Sequence, residues 1–167
     1  NIDEENENRV CKTTAFPQNG MLKGLPLICS SNWVNELSDM GIKKVLCLDP
    51  INKKRGEHVK LARENGFELV SAIHPTVLVL PDAKIGKGVW INAGSIIGYK
   101  AEIGSGTIIN TGAQIDHHNI IEECCQIDPG VVTAGNVVMR KYSHLHTGAI
   151  VINRIIIGTN SVVGAGS

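Results

Sequence analysis

The chain has 167 residues, enough for one medium domain or for a small domain plus a partial one. Its 16 Lys and Arg balance 16 Asp and Glu, which excludes the basic surface of a nucleic-acid binder or of a polybasic membrane-surface protein. The five cysteines (Cys11, Cys29, Cys47, Cys124 and Cys125) form no C-x-x-C pair, so neither a disulfide framework nor a zinc ribbon is expected.

In chain order, residues 1–24 are polar and read as loop, and Leu25–Cys29 is a short apolar run that predicts a buried strand. Ser31 or Asn32 can cap a helix with Val34, Leu37 and Met40 on one face, ended by Gly41. Lys44–Leu48 reads as a second strand. A helix of about a dozen residues follows, with Val59 and Leu61 inward and Gly66 at its end. Phe67–Ile73 is the third strand. Strands alternating with helices predict a parallel α/β layer, too short for a full doubly wound domain. His74–Pro75 is the expected hinge, because the residue before proline is pushed extended. The expected division is therefore 1–73 and 74–167.

From Ile85 an aliphatic residue returns every sixth position through Ile91, Ile97, Ile103, Ile109, Ile115, Ile121, Ile127, Met139, Leu145, Val151, Ile157 and Val163, with Thr133 the one break. Four places on, the residue is mostly small or β-branched, as at Val89, Ser95, Ala101, Thr107, Ala113 and Cys125. The residue directly after the aliphatic one (Gly86, Asn92, Gly98, Gly104) reads as a corner. Six residues fit neither a helix nor an amphipathic strand, but they fit one side of a triangular coil. The prediction is a left-handed parallel β-helix starting near Val77, with about five coils of about eighteen residues. A narrow prism filled by Ile, Val and Ala accounts for an aromatic content of only 4%. No apolar run is long enough to span a membrane and no signal peptide is visible, so a cytoplasmic protein without membrane insertion is expected. A chain that opens with Asn1 and stops at Ser167 in mid-repeat is expected to be an incomplete form of a longer protein.

Function has to come from residues that interrupt the repeat. His117 lies two places past Ile115, at a corner where its ring can reach outside the coil as a general base, or stand there as a solvated surface histidine. His74-Pro-Thr, Ile109-Asn-Thr-Gly-Ala, Ile115-Asp-His, Pro129-Gly-Val, Ala134-Gly-Asn-Val and Ile157-Gly-Thr-Asn-Ser-Val-Val-Gly-Ala-Gly follow in that order. Over 74–167 this resembles the hexapeptide-repeat acyltransferase family of sialic acid O-acetyltransferases and nucleotide 4-amino-sugar N-acetyltransferases. Residues 1–73 are more loosely similar to that family's Rossmann-like nucleotide-sugar domain.

The resemblance implies an acetyl-CoA-dependent enzyme acting on the amine or hydroxyl of a sugar or nucleotide sugar and needing no metal. A homotrimer is expected because the corner location of His117 leaves one prism alone with only half a cleft. His117 is similar to the catalytic base. Gly135 resembles the residue whose backbone N–H faces the thioester carbonyl. Gln126, Thr147 and Ala165 match the acetyl-CoA channel, and Asp3 and Glu4 the acidic pair near the nucleotide. The family usually has an acid after the base, where this chain has His118; Asp116 and His118 are thus the expected orienting or tuning residues. Gln126 replaces a second histidine of the channel, and Pro50 stands where the family favours glycine. The implied mechanism is direct transfer without an acyl-enzyme, with Cys125 on an inward position and neither Cys124 nor Cys125 a nucleophile.

Two alternatives are a β-helical metal enzyme of the carbonic anhydrase type and a serine-type O-acetyltransferase. Against the first, His144 lies out of phase with His117 in the coil, though adjacent subunits could still bring such residues together. An ice-binding rank is excluded by phase, since Thr107, Thr111, Thr133, Thr147 and Thr159 do not align. Arg140, Lys141 and Arg154 are either contacts for CoA phosphates or ordinary surface charge.

Overall fold

The computed structural model describes the backbone at Met21–Leu22 and Leu25–Pro26 and all of residues 32–167, in two compact units, 1–42 and 43–167. Asp3 and Glu4 lie outside the described residues. In the first unit Met21–Leu22 pairs antiparallel with Leu25–Pro26, so the predicted strand is present at its start. Helix α1, Trp33–Asp39, has Asn32 at its N-cap, although the Asn32 carboxamide oxygen accepts from Asn35 Nδ2 (2.6 Å) and not from the backbone. Gly41, at φ +72°, ends it as expected. Met40 is exposed, not inward, because it sits at the C-cap beyond the last turn.

The second unit opens with a strand–helix–strand. Lys44–Val45 and Glu68–Leu69 pair in parallel, and helix α2, Asn52–Glu64, connects them before Gly66 ends it. The buried stripe of α2 is Asn52, Arg55, Val59 and Ala62. Leu61, expected inward with Val59, is 39% exposed. Two residues turn a helix by about 200°, so the two cannot share a face. The apolar pattern misled because half the true stripe is polar.

The predicted strand Phe67–Ile73 divides in two. Glu68–Leu69 serves the small sheet, while Ala72–Ile73 already pairs with Trp90–Ile91 as the first rung of the solenoid. The coil therefore starts before Val77, and His74–Pro75 turns its first corner. From there the chain winds into three parallel sheets of six, five and five strands, a parallel β-helix built on the hexad repeat. Face 1 stacks Ala72–Ile73, Trp90–Ile91, Ile108–Ile109, Gln126–Ile127, His144–Leu145 and Val162–Val163. Face 2 stacks Leu78–Val79, Ile96–Ile97, Gln114–Ile115, Val132–Thr133 and Ile150–Val151, and face 3 runs from Lys84–Ile85 to Ile156–Ile157. The aliphatic series from Ile91 to Ile157 is buried, including Thr133.

Each face ends in a corner: the first after face 1, the second after face 2, the third after face 3. From Asp82 onward each corner has one residue in the left-handed region, at six-residue intervals: Gly94, Lys100, Gly106, Gly112, His118, Cys124, Gly130 and Asn136 among them. The sharp turn thus falls three places after the aliphatic residue, not one. The residue directly after it is often glycine for another reason: a Cβ on Gly98 would stand 2.5 Å from the Asp116 carbonyl carbon of the coil above.

Helix α2 closes the third corner. Arg55 is fully buried and donates from Nε to Gly106 O (2.7 Å), from Nη1 to Asp49 O (2.6 Å), and from Nη2 to Asn52 Oδ1 (2.7 Å), Cys124 O (3.0 Å) and Cys125 O (3.1 Å). Asn52 Nδ2 donates to Tyr142 O and Ser143 O one coil further on. One guanidinium therefore ties the helix to two successive coils. Burial lowers its pKa, and the nearby cysteines and Asp49 oppose that shift. Arg55→Ala should lower the unfolding free energy by about 3 kcal/mol or more, since several buried carbonyls lose their donor at once. Arg55→Lys should not restore it, because a single ammonium cannot reach acceptors spread over this fork. Urea unfolding of the three proteins measures both.

Candidate functional site

His117 is exposed at the second corner, immediately before the left-handed residue His118. Its backbone N–H donates to Asp116 Oδ1 (2.7 Å), so this carboxylate holds the main chain and not the imidazole. The ring is held by His118 instead: the two Nδ1 atoms are 3.1 Å apart, with ring planes at 83°. Tyr99 in turn meets His118 edge-on at 5.5 Å. If the shared proton sits on His117 Nδ1, its Nε2 has a free lone pair and the tautomer of a general base. Gly135 lies one coil on, under the same ring. A Cβ built there would stand 2.5 Å from His117 Nε2 and 2.8 Å from its Nδ1, so only glycine lets the imidazole settle over this backbone. The Gly135 N–H has no acceptor among the described residues.

A buried polar lock fixes this corner. Asn119 occupies an inward position normally held by a small residue and is fully buried. Its Nδ2 donates to Asp116 O (2.8 Å), Thr133 Oγ1 (3.0 Å) and Ala134 O (3.1 Å), and its Oδ1 accepts from Val137 N–H (2.6 Å). The carbonyls of Asp116 and Ala134 precede His117 and Gly135. The lock therefore holds both segments in register.

Gln126, Thr147 and Ala165 lie elsewhere. Gln126 faces outward on face 1, while Thr147 and Ala165 stand one above the other on the exposed first corner. Face 2 separates them from His117 and Gly135. Its outward residues include Leu78 and Ile150, 52% and 65% exposed. Within one chain the two predicted residue sets do not meet. His117 and His118 are likewise a corner away from His144 and His146, so no four-histidine cluster of the carbonic anhydrase kind forms within the chain.

Residues 82–117 match the family described as bacterial transferase hexapeptide (six repeats). The chain is similar to a solved variant of perosamine N-acetyltransferase from Caulobacter crescentus in complex with CoA and GDP-perosamine, at 32% identity over 89% of this chain and 72% of that one, with a TM-score of 0.83. PerB from the same organism, also in complex with CoA and GDP-perosamine, gives 34% identity, the same coverage and a TM-score of 0.84. The family is thereby decided. The chain belongs to the hexapeptide-repeat acyltransferases of the sialic acid O-acetyltransferase and nucleotide 4-amino-sugar N-acetyltransferase type. The acetyltransferase domain of PglB from Neisseria gonorrhoeae, in complex with acetyl coenzyme A, agrees at 29% identity over 88% of this chain and 71% of that one, with a TM-score of 0.81.

Other residues of this acyltransferase are placed outside the chemistry. Arg140 and Lys141 are on the third corner and pair with Glu122 (2.6 Å) and Glu123 (3.4 Å), which makes them surface ion pairs between coils. Cys125 is fully buried, and that burial pushes its thiol up to about 11. Cys124 is also raised by burial. Both thiols stay protonated near neutral pH, which removes the thiolate an acyl-enzyme would require. Asn119 was missed in the sequence because its role depends on a pairing across the prism. The available signal was two polar interruptions, Asn119 and Thr133, in otherwise apolar or small-residue columns. Asn119→Ala should cost about 2 kcal/mol or more, as it strips partners from buried carbonyls and from the Val137 N–H. Thermal or urea unfolding checks this, and a change under half that size would show the lock to be dispensable.

Proposed function

We propose that the enzyme moves an acetyl group from acetyl-CoA directly to the amine or hydroxyl of a nucleotide-linked sugar, with His117 as general base. The observation that carries this is the His117 ring seated on Gly135 with its Nδ1 held by His118. The CoA and GDP-perosamine bound in the neighbouring structures support the choice of substrates. As the acceptor attacks the thioester carbonyl, His117 Nε2 takes its proton. The negative oxygen that develops is stabilised by the Gly135 N–H. Collapse expels CoA, whose sulfur leaves as thiolate and receives the proton from the imidazolium. Gln126, Thr147 and Ala165 line the path of the pantetheine arm. Residues 1–73, with Asp3 and Glu4, serve the nucleotide, and 74–167 the transfer. Free thiols at Cys47, Cys124 and Cys125 suit a cytoplasmic enzyme. Among the described residues no helix is long and apolar enough to cross a membrane.

The separation of the two residue sets supports a homotrimer. With face 2 turned toward a threefold axis, its two edges reach two neighbours, and the second corner of one copy meets the first corner of the next. The apolar outward residues Leu78 and Ile150 are then covered.

His117→Ala should lower kcat by roughly 10²–10⁴-fold and leave acetyl-CoA binding intact. Full activity in the folded variant would reduce His117 to a surface residue. His118→Ala should lower kcat with little change in KM, and His118→Asp should restore it, because either an imidazole or a carboxylate can accept the Nδ1–H bond. The shared site has its own check. Mixing inactive His117→Ala chains with chains inactivated at the first corner, by Thr147→Trp, should regain activity after subunit exchange; no recovery in verified mixed trimers would place each site within one chain.

A further inference from the structure

Asp128, His144 and His146 converge on the first corner and the adjoining edge of face 1, beside Gln126 and Thr147, and none of the three has a role of its own in the acetyl-transfer reading. Asp128 Oδ2 lies 2.9 Å from His144 Nε2 and 3.1 Å from His146 Nδ1. All three ligand atoms fall within 4.8 Å of one another. Tetrahedral donors on an ion with bonds of about 2.1 Å stand about 3.4 Å apart, so an opening of a few tenths of an ångström brings these atoms to the spacing of neighbouring ligands on one metal.

The surroundings are those of a metal site. The other carboxylate oxygen, Oδ1, is held by Gln126 Nε2 (2.9 Å) and Asn110 Nδ2 (3.3 Å), which orients Oδ2 toward the histidines as outer partners of metal ligands do. The side chains of Asp128 and His144 are only 14% and 18% exposed, so little conformational freedom remains to be lost on binding. Gln126 Oε1 is buried without a hydrogen-bond partner, alone in this among the buried side-chain atoms of the described residues.

We propose that Asp128, His144 and His146 bind one divalent transition-metal ion of the zinc or cobalt type. Two imidazoles and one carboxylate suit such an ion and leave coordination positions open to solvent. Asp128 belongs to one coil and His146 to the next, eighteen residues on. The ion therefore staples neighbouring coils and should raise the thermal midpoint as its concentration rises. Spacing in the sequence does not reveal the set, because its carboxylate and its histidines come from different turns.

Metal-stripped protein is titrated with Zn²⁺ by calorimetry and with Co²⁺ by visible absorption. The expected result is one ion per chain, with the midpoint raised by Zn²⁺. Asp128→Asn, His144→Ala and His146→Ala should each weaken binding by at least about tenfold while remaining folded without metal. His118→Ala, which breaks the other close histidine pair, should bind unchanged. The proposal is overturned if no stoichiometric binding occurs below about 100 μM. Binding that survives all three ligand variants, or that is lost in His118→Ala, would overturn it equally. Neither result depends on acetyl-transfer activity.

Discussion

Hydrogen bonds between backbones eighteen residues apart set everything else in this molecule. Each strand is only two residues long and could not persist alone. Stacked in register, each is bonded to its neighbours above and below, and every inward side chain falls on one of the same columns. The register converts a position in the sequence into a height and a corner. His117 and Gly135, or Asp128 and His146, are neighbours because their numbers differ by one coil.

The three corners then divide the work. The third is occupied by α2, whose Arg55 and Asn52 satisfy backbone carbonyls that the turns expose. The second carries the contacting pair His117 and His118, and the first Thr147 and Ala165, the sets proposed for proton transfer and for the cofactor. A prism holds its edges apart, so a single copy cannot close such a site. On the proposed mechanism, a second copy would then supply the missing half of the site.

The hexad column was legible because it rests on a one-dimensional pattern: Ile91 through Ile157 lie where the repeat puts them. The pairing of His117 with Gly135 was legible through family likeness, and their eighteen-residue spacing agrees with it. What the pattern did not disclose was any contact with a polar partner. Arg55 and Asn52 sit on the inward stripe of α2, where an apolar rule chooses Leu61 in their place. Asn119 and Thr133 interrupt two different columns, and nothing local shows that each interruption satisfies the other. Asp116, expected with His118 to orient the imidazole, instead accepts from the His117 amide. Buried hydrogen bonds of this kind are set by three-dimensional direction, which periodicity does not encode.

The left-handed backbone at position 118 has a consequence for which chemistry the site can adopt. With φ at +57°, residue 118 is in a region that β-branched and bulky side chains rarely enter, while Asn, Asp and His are enriched there. These are also short side chains able to hydrogen-bond a neighbouring imidazole. The coil geometry therefore excludes β-branched residues from the position beside His117. The same corner position holds Lys100, Cys124, Tyr142 and Arg154 in other coils, so the turn admits varied unbranched side chains, histidine among them, while valine or isoleucine would be refused by the main chain itself.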